Sequence, residues 1–308
     1  MTIFTNMPSR PSATSVPGVT PEAQGRAAAS RFRLEHHLGI QPLGDLVAVI
    51  EQATGVDVAV LDAGPDEHGL TMCDPAHGTV FIGVARTRHP MRQRSTLAHE
   101  LGHVQFGDWA ADDAGSCGQR SPVEVRADAF ARHLLLPLDG LRQFLADLRV
   151  TDRSVLSAVV QRYLVSPAVA AIALEQAGYI DAGRKAEWMG VTTPQLAVRF
   201  GWIDQYNALQ ADSNRRRAPQ RLLSRAIEGY AAGVLSAQVI ANLRGVALEA
   251  AEAELAEAGI GPAAQQTVWA DPADLADLPD VGVDVTELDD YLRDAGDGEE
   301  WATETGKQ

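Results

Sequence analysis

An α+β fold is what this 308-residue sequence predicts: a small antiparallel sheet packed with two helices, followed by an all-helical C-terminal region. Three observations point there. Strand-like segments, with valines alternating at period two, occur only between residues 56 and 84. Two well-punctuated helical stretches follow, at 95–106 and 121–137. Beyond Pro137 the apolar spacing is helical almost throughout.

The elements follow in order. Residues 22–38 read as a helix, and 42–54 as a second one ended by Gly55. Residues 56–61 have strand character, and 69–73 and 79–84 make a hairpin across 74–78. Ser121 before Pro122 is a helix start and Pro137 a stop, with Ala127, Phe130, Ala131, Leu134 and Leu135 forming the buried stripe between them. Farther on, residues 155–178 and 234–259 resemble each other at an offset of 79 residues at the start and 81 at the end. Residues 163–178 have helix–turn–helix rhythm, and 190–196 echo it. Their few Arg and Lys residues speak for packing or partner binding over DNA reading, since DNA-binding faces are basic. The basic run Arg215, Arg216, Arg217 with Arg221 and Arg225 reads as a solvated linker, or as a partner for the acidic tail. The expected division is a disordered lead at 1–21, a first domain at 22–145, helical regions at 146–210 and 211–260, and a weakly ordered acidic tail at 261–308.

Chemistry concentrates at His99-Glu100-Leu101-Gly102-His103. Two histidines four residues apart on a helix lie about 40° apart around its axis, so both imidazoles reach one metal. Glu100, between them, stands beside that metal, where it can take a proton from a water. A catalytic zinc keeps three protein ligands and one open position. Glu124 on the second helix is the candidate third ligand, and Asp128, one turn on, the acid that accepts a histidine N–H. Taken alone, Glu124 reads equally as a first-turn acid favoured by the helix dipole. His133 is the rival on the same helix. Nine residues is about 180° of rotation, so it cannot share a metal with Glu124. His89 and Tyr163 are the only further candidates, as oxyanion donors, and both are weak.

These residues resemble a family. Thr96 to His103, then Glu124, Ala127, Asp128, Phe130, Ala131, Leu134, Leu135 and Pro137, are similar to the ImmA/IrrE metallo-endopeptidases. Residues 78–84 resemble that family's last strand, and Arg92, Gln93 and Arg94 the lead-in to its helix. The resemblance covers about 22–180 and is looser to about 260. One departure is Leu136 before the proline, where methionine is common. The resemblance implies His99, His103 and Glu124 as metal ligands, Glu100 as the catalytic base and Asp128 as their support. It also implies zinc-dependent cleavage of a DNA-binding repressor in the cytoplasm, in stress or mobile-element control. Manganese or iron would also suit two histidines and a carboxylate. The alternative is a regulator that keeps the peptidase fold but sequesters a repressor or contacts DNA without cleavage. A substrate strand would pair with a sheet edge beside the metal, and the strand at 79–84 is the expected one.

Composition bounds the rest. No run approaches eighteen apolar residues, so no membrane span is expected. Residues 1–25 lack an apolar stretch after positive charge and do not read as a signal peptide. Cys73 and Cys117 make no disulfide framework, which places the chain in the cytoplasm. Cys117, between the two helices, could block an open metal position as a thiolate, although an inert thiol is the plainer reading. From residue 261 on, thirteen acids face two bases, so the tail holds −11 of the chain's net −15.

Overall fold

The computed structural model describes residues 18–64, 69–74, 76–108, 121–146 and 152–263. The expectations for residues 1–17, for Cys117 and for the tail from 264 onward lie outside these residues.

Helix α1 (Pro21–Glu35) starts where the Thr20 hydroxyl accepts from the Ala23 N–H. Helix α2 (Leu46–Thr54) begins later than the expected residue 42, because Asp45 is the residue that caps it, accepting from the Ala48 N–H at 3.2 Å. Gly55 then ends α2 in the left-handed conformation, at φ 70°.

Strands β1 (Asp57–Leu61), β2 (Gly69–Asp74) and β3 (Thr79–Ala85) form one sheet in the order β1-β3-β2. β2 and β3 are the expected antiparallel hairpin, with Gly69 opposite Val84 and Asp74 opposite Thr79. β1 runs parallel to β3, so the sheet is mixed and not antiparallel. Alternation of apolar side chains fixes which face is buried but not which way a strand runs. Val58, Val60, Ile82 and Val84 supply the buried face.

β3 is therefore central, which overturns the expectation that residues 79–84 form an edge. The outer side of β1 is also taken: Val60 and Arg217 exchange backbone hydrogen bonds of 2.8 and 3.0 Å. Among the described residues, nothing pairs with the outer side of β2.

Helix α3 (Pro90–Phe106) packs against β2 and β3, and α4 (Pro122–Leu135) packs against α3 and α1. Gly25 sets the α1–α4 crossing. A Cβ there would lie 2.6 Å from Ala129 Cβ and 2.7 Å from the Phe130 nitrogen. Beside it the buried Arg33 donates from Nε and Nη2 to the Leu134 carbonyl, one of the unpaired acceptors in the last turn of α4. His133 faces Glu22 of α1 at 3.3 Å, so it points away from Glu124, as the 180° argument requires.

The remaining helices are α5 (Leu138–Phe144), α6 (Arg153–Tyr163), α7 (Pro167–Gln176), α8 (Ala182–Met189), α9 (Thr193–Arg199), α10 (Ile203–Ser213), α11 (Gln220–Ala231), α12 (Ala237–Arg244) and α13 (Leu248–Glu257). The hydrophobic core does not divide near residue 146. Leu156, Val160, Trp188, Trp202 and Tyr206 join the same cluster as Ile50, Ile82 and Leu101. Only α11 to α13 have a separate core, built on Ala226, Ala237, Ile240 and Leu255.

The basic run is not a solvated linker. Arg217 pairs with Asp45 at 2.7 Å, Arg216 with Asp62 at 3.6 Å, and Arg221 grips Asp57 through two hydrogen bonds of 3.0 and 2.7 Å. These arginines clasp α11 to the sheet and α2.

α6 and α7 meet at 109°, within the range of helix–turn–helix pairs. Half of the α7 residues are buried and only Gln176 is exposed, so α7 presents little open face to a DNA groove. A second internal match accompanies the expected one. The segment from Gly178 to Val191 aligns without a gap on Gly233 to Val246, an offset of 55, with Asp181 and Ser236 at the two N-caps and Gly178 and Gly233 both left-handed. Among the described residues no single helix is long and apolar enough to cross a membrane.

Candidate metal centre

Helix α3 carries His99, Glu100 and His103, and its ending shapes the site. Gly107, at φ 71°, takes the left-handed turn that only glycine adopts without cost, and the next N–H, of Asp108, returns to the His103 carbonyl at 3.0 Å. The Asp108 carboxylate is thereby held 3.6 Å from His103 Nδ1. On α4, the Ser121 hydroxyl accepts from the Glu124 N–H at 3.3 Å, fixing the first turn that holds Glu124.

The structure brings the three expected ligands together. His99 Nε2 and His103 Nε2 are 3.0 Å apart, and Glu124 places its two oxygens 3.2 Å from the first and 3.5 Å from the second. A tetrahedral ion with ligand bonds of about 2.0–2.1 Å holds its ligand atoms roughly 3.3–3.4 Å apart, so this cluster could hold a divalent metal. The Nδ1 sides agree with that use. His99 Nδ1 meets Asp128 Oδ1 at 2.9 Å, and a donated N–H there leaves the Nε2 lone pair for the shared point.

Charge holds the two imidazoles differently. Burial pushes the His99 pKa down, but the Asp128 hydrogen bond and the charges of Asp128, Glu124 and Glu100 outweigh it, and the net shift is upward. Asp108 is drawn up by burial, yet His103 and Arg126 together bring it below the usual carboxylate range. Arg126 bonds the other Asp108 oxygen while its guanidinium lies 4.6 Å over the Phe106 ring.

Glu100 sits beside the cluster and is only 8% exposed. Its Oε2 accepts from the Thr71 hydroxyl at 2.7 Å, so strand β2 holds the carboxylate in place. Gly69 makes that approach possible. A Cβ there would lie 2.8 Å from Glu100 Oε1 and 2.5 Å from Thr96 Cγ2.

The weak candidates fall away. His89 is exposed at the start of α3, ten residues and about 15 Å of helix rise from His99. Tyr163 is buried at the end of α6, with its ring against Phe144. Sequence reasoning missed Asp108, Arg126, Thr71 and Gly69. Of these, only Asp108 had a signal: a glycine C-cap directly after the helix turns the next residue back onto it.

A helix with two histidines and a glutamate, crossed by a second helix that brings a third donor, is the layout of an HExxH metallopeptidase domain. Residues 51–175 match the family model for the IrrE N-terminal-like domain, Peptidase_M78, so this stretch, which holds the site, is similar to that family. Helix α1, which packs on α4, lies ahead of the matched stretch. No curated protein matches the chain.

Proposed function

We propose that this protein is a metal-dependent endopeptidase that cuts an extended segment of a protein partner, a helix–turn–helix repressor. The observation that carries the catalytic part is the convergence of three donors beside a buried, hydrogen-bonded carboxylate. His99, His103 and Glu124 would hold the ion, with zinc the first choice and manganese or iron also suited to these donors. A divalent ion there supplies Lewis acidity, which polarises the scissile carbonyl and makes a water acidic enough to react near neutral pH. Glu100 takes the proton of the attacking water at Oε1, since Oε2 is occupied by Thr71, and passes it to the leaving amide nitrogen. A substrate strand pairs with the outer side of β2, which brings its backbone past Thr71 and Glu100.

Asp108 and Asp128 are positioning residues in this reading, one behind each imidazole. Asp108→Ala should weaken metal affinity about 10- to 100-fold in competition with a chromogenic chelator. Asp108→Asn, which keeps an oxygen near His103 Nδ1 without the charge, should recover most of it. Unchanged affinity in Asp108→Ala would remove Asp108 from the site.

The substrate class comes from the family resemblance, and the test is direct. The zinc-loaded protein is incubated with a helix–turn–helix repressor found encoded beside its own gene, should one be there, and separately with casein. Cleavage of the repressor alone, lost in Glu100→Gln, is the expected result. Cleavage of casein alone would make it a general peptidase. Capture of the repressor without cleavage by either form would make it a binding regulator.

A further inference from the structure

The face of α3 turned away from the metal cluster lines a cavity of about 720 Å³. Pro90, Gln93, Arg94 and Leu97 reach it, and at 100° per residue Leu97 and His99 lie about 160° apart around the helix. The cavity is of the size that takes a small molecule. Its walls are of two kinds. Leu46, Val47, Leu97, Leu164, Leu209 and Leu223 give it an apolar interior. Arg94, Arg215, Arg216, Arg217 and Arg244 face it against two acids, Asp45 and Asp212. Such an excess of positive charge is notable in a chain of net charge −15. Arg216 and Arg244 find acids in Asp62 and Glu254, neither of which lines the cavity.

Arg94 is the informative member. It is 9% exposed and donates to three carbonyls, those of Leu43, Gly44 and Leu164, at 2.6, 2.6 and 3.2 Å. A guanidinium has five N–H groups, so two are left over. Among the described residues it makes no ion pair, and Asp45, the acid acting on it through space, is already bonded to Arg217 at 2.7 Å. Burial lowers its pKa to about 10, with Asp45 opposing, so the side chain keeps its charge at neutral pH. Leu164, which supplies one of those carbonyls and part of the wall, is a non-glycine residue held at φ 54° and ψ 46°. A buried guanidinium with no direct ion pair, and an apolar wall under an arginine rim, share one explanation.

We propose that this cavity binds a small amphipathic anion, with its apolar body against the leucines and its acidic group among Arg94, Arg215 and Arg216. The test uses the full chain and 8-anilinonaphthalene-1-sulfonate, whose fluorescence rises on entering an apolar site. Saturable binding is expected, displaced at least tenfold better by octanoate than by octanol. Arg215→Glu, a change on the exposed rim, should weaken it at least fivefold, and Leu209→Trp, which fills the interior, should abolish it. Equal displacement by octanol would overturn the anionic part of the proposal. Binding that survives both variants would overturn the site itself. Thermal melts of each variant identify any loss that comes from unfolding, and Arg215→Glu then decides alone.

Discussion

Glu100→Gln is expected to leave the metal content at one ion per chain and to lower peptide-bond cleavage by about 10²- to 10⁴-fold. The amide has nearly the shape of the carboxylate and its oxygen can still accept from Thr71, so the packing around position 100 is kept. Position 100 is not among the three converging donors, so metal affinity should hold. What is lost is a base able to accept a proton. The loss should fall on kcat with KM little changed, because in the proposed binding mode β2, and not this side chain, holds the substrate strand. Elemental analysis with single-turnover kinetics on the same preparation would check it. Normal turnover in the variant would sink the proposed mechanism.

Gly25→Val should lower stability markedly. The added methyls would meet Ala129, Phe130 and the Arg126 backbone, none of which can yield without moving α4. Overpacking of that kind costs about 1–3 kcal/mol, against less than about 1 kcal/mol regained from replacing glycine in a helix. α4 also carries Glu124, Arg126 and Asp128, so displacement should weaken the metal site together with the fold. Thermal melts with and without added zinc should show a lowered midpoint and a smaller zinc-induced rise. Gly44→Ala is the matched control: nothing lies within 4 Å of a Cβ at that position, and its melt should be unchanged. A Gly25→Val protein melting like the control would show that the α1–α4 contact is looser than described.

The metal cluster was legible in the sequence because all its members lie on helices whose period is regular. The i,i+4 spacing of His99 and His103 fixed their common face, and a proline-started helix fixed where Glu124 and Asp128 would stand. The same reasoning excluded His133. The sheet was legible as strands but not as an arrangement. Parallel pairing of β1 with β3 and closure of β1 by Arg217 depend on residues more than 20 and 150 positions apart, which no local pattern encodes. For the same reason the support of Glu100 by Thr71, 29 residues away, was invisible. The arginine run misled because composition reports charge and not the aspartates that charge will meet. Valine, leucine and alanine runs match at several offsets, and the left-handed Gly178 and Gly233 mark the offset of 55 only once the backbone is seen.

Closure of β1 has a consequence for how copies of this protein can meet. Among the described residues the sheet has one unpaired border, so two molecules joining strand to strand there would do so through β2 in both. That seam would run over Thr71 and the flank of Glu100 in each copy. Self-association by this route would therefore silence both partners at once, and crowding would act as a brake on the same surface that admits a substrate.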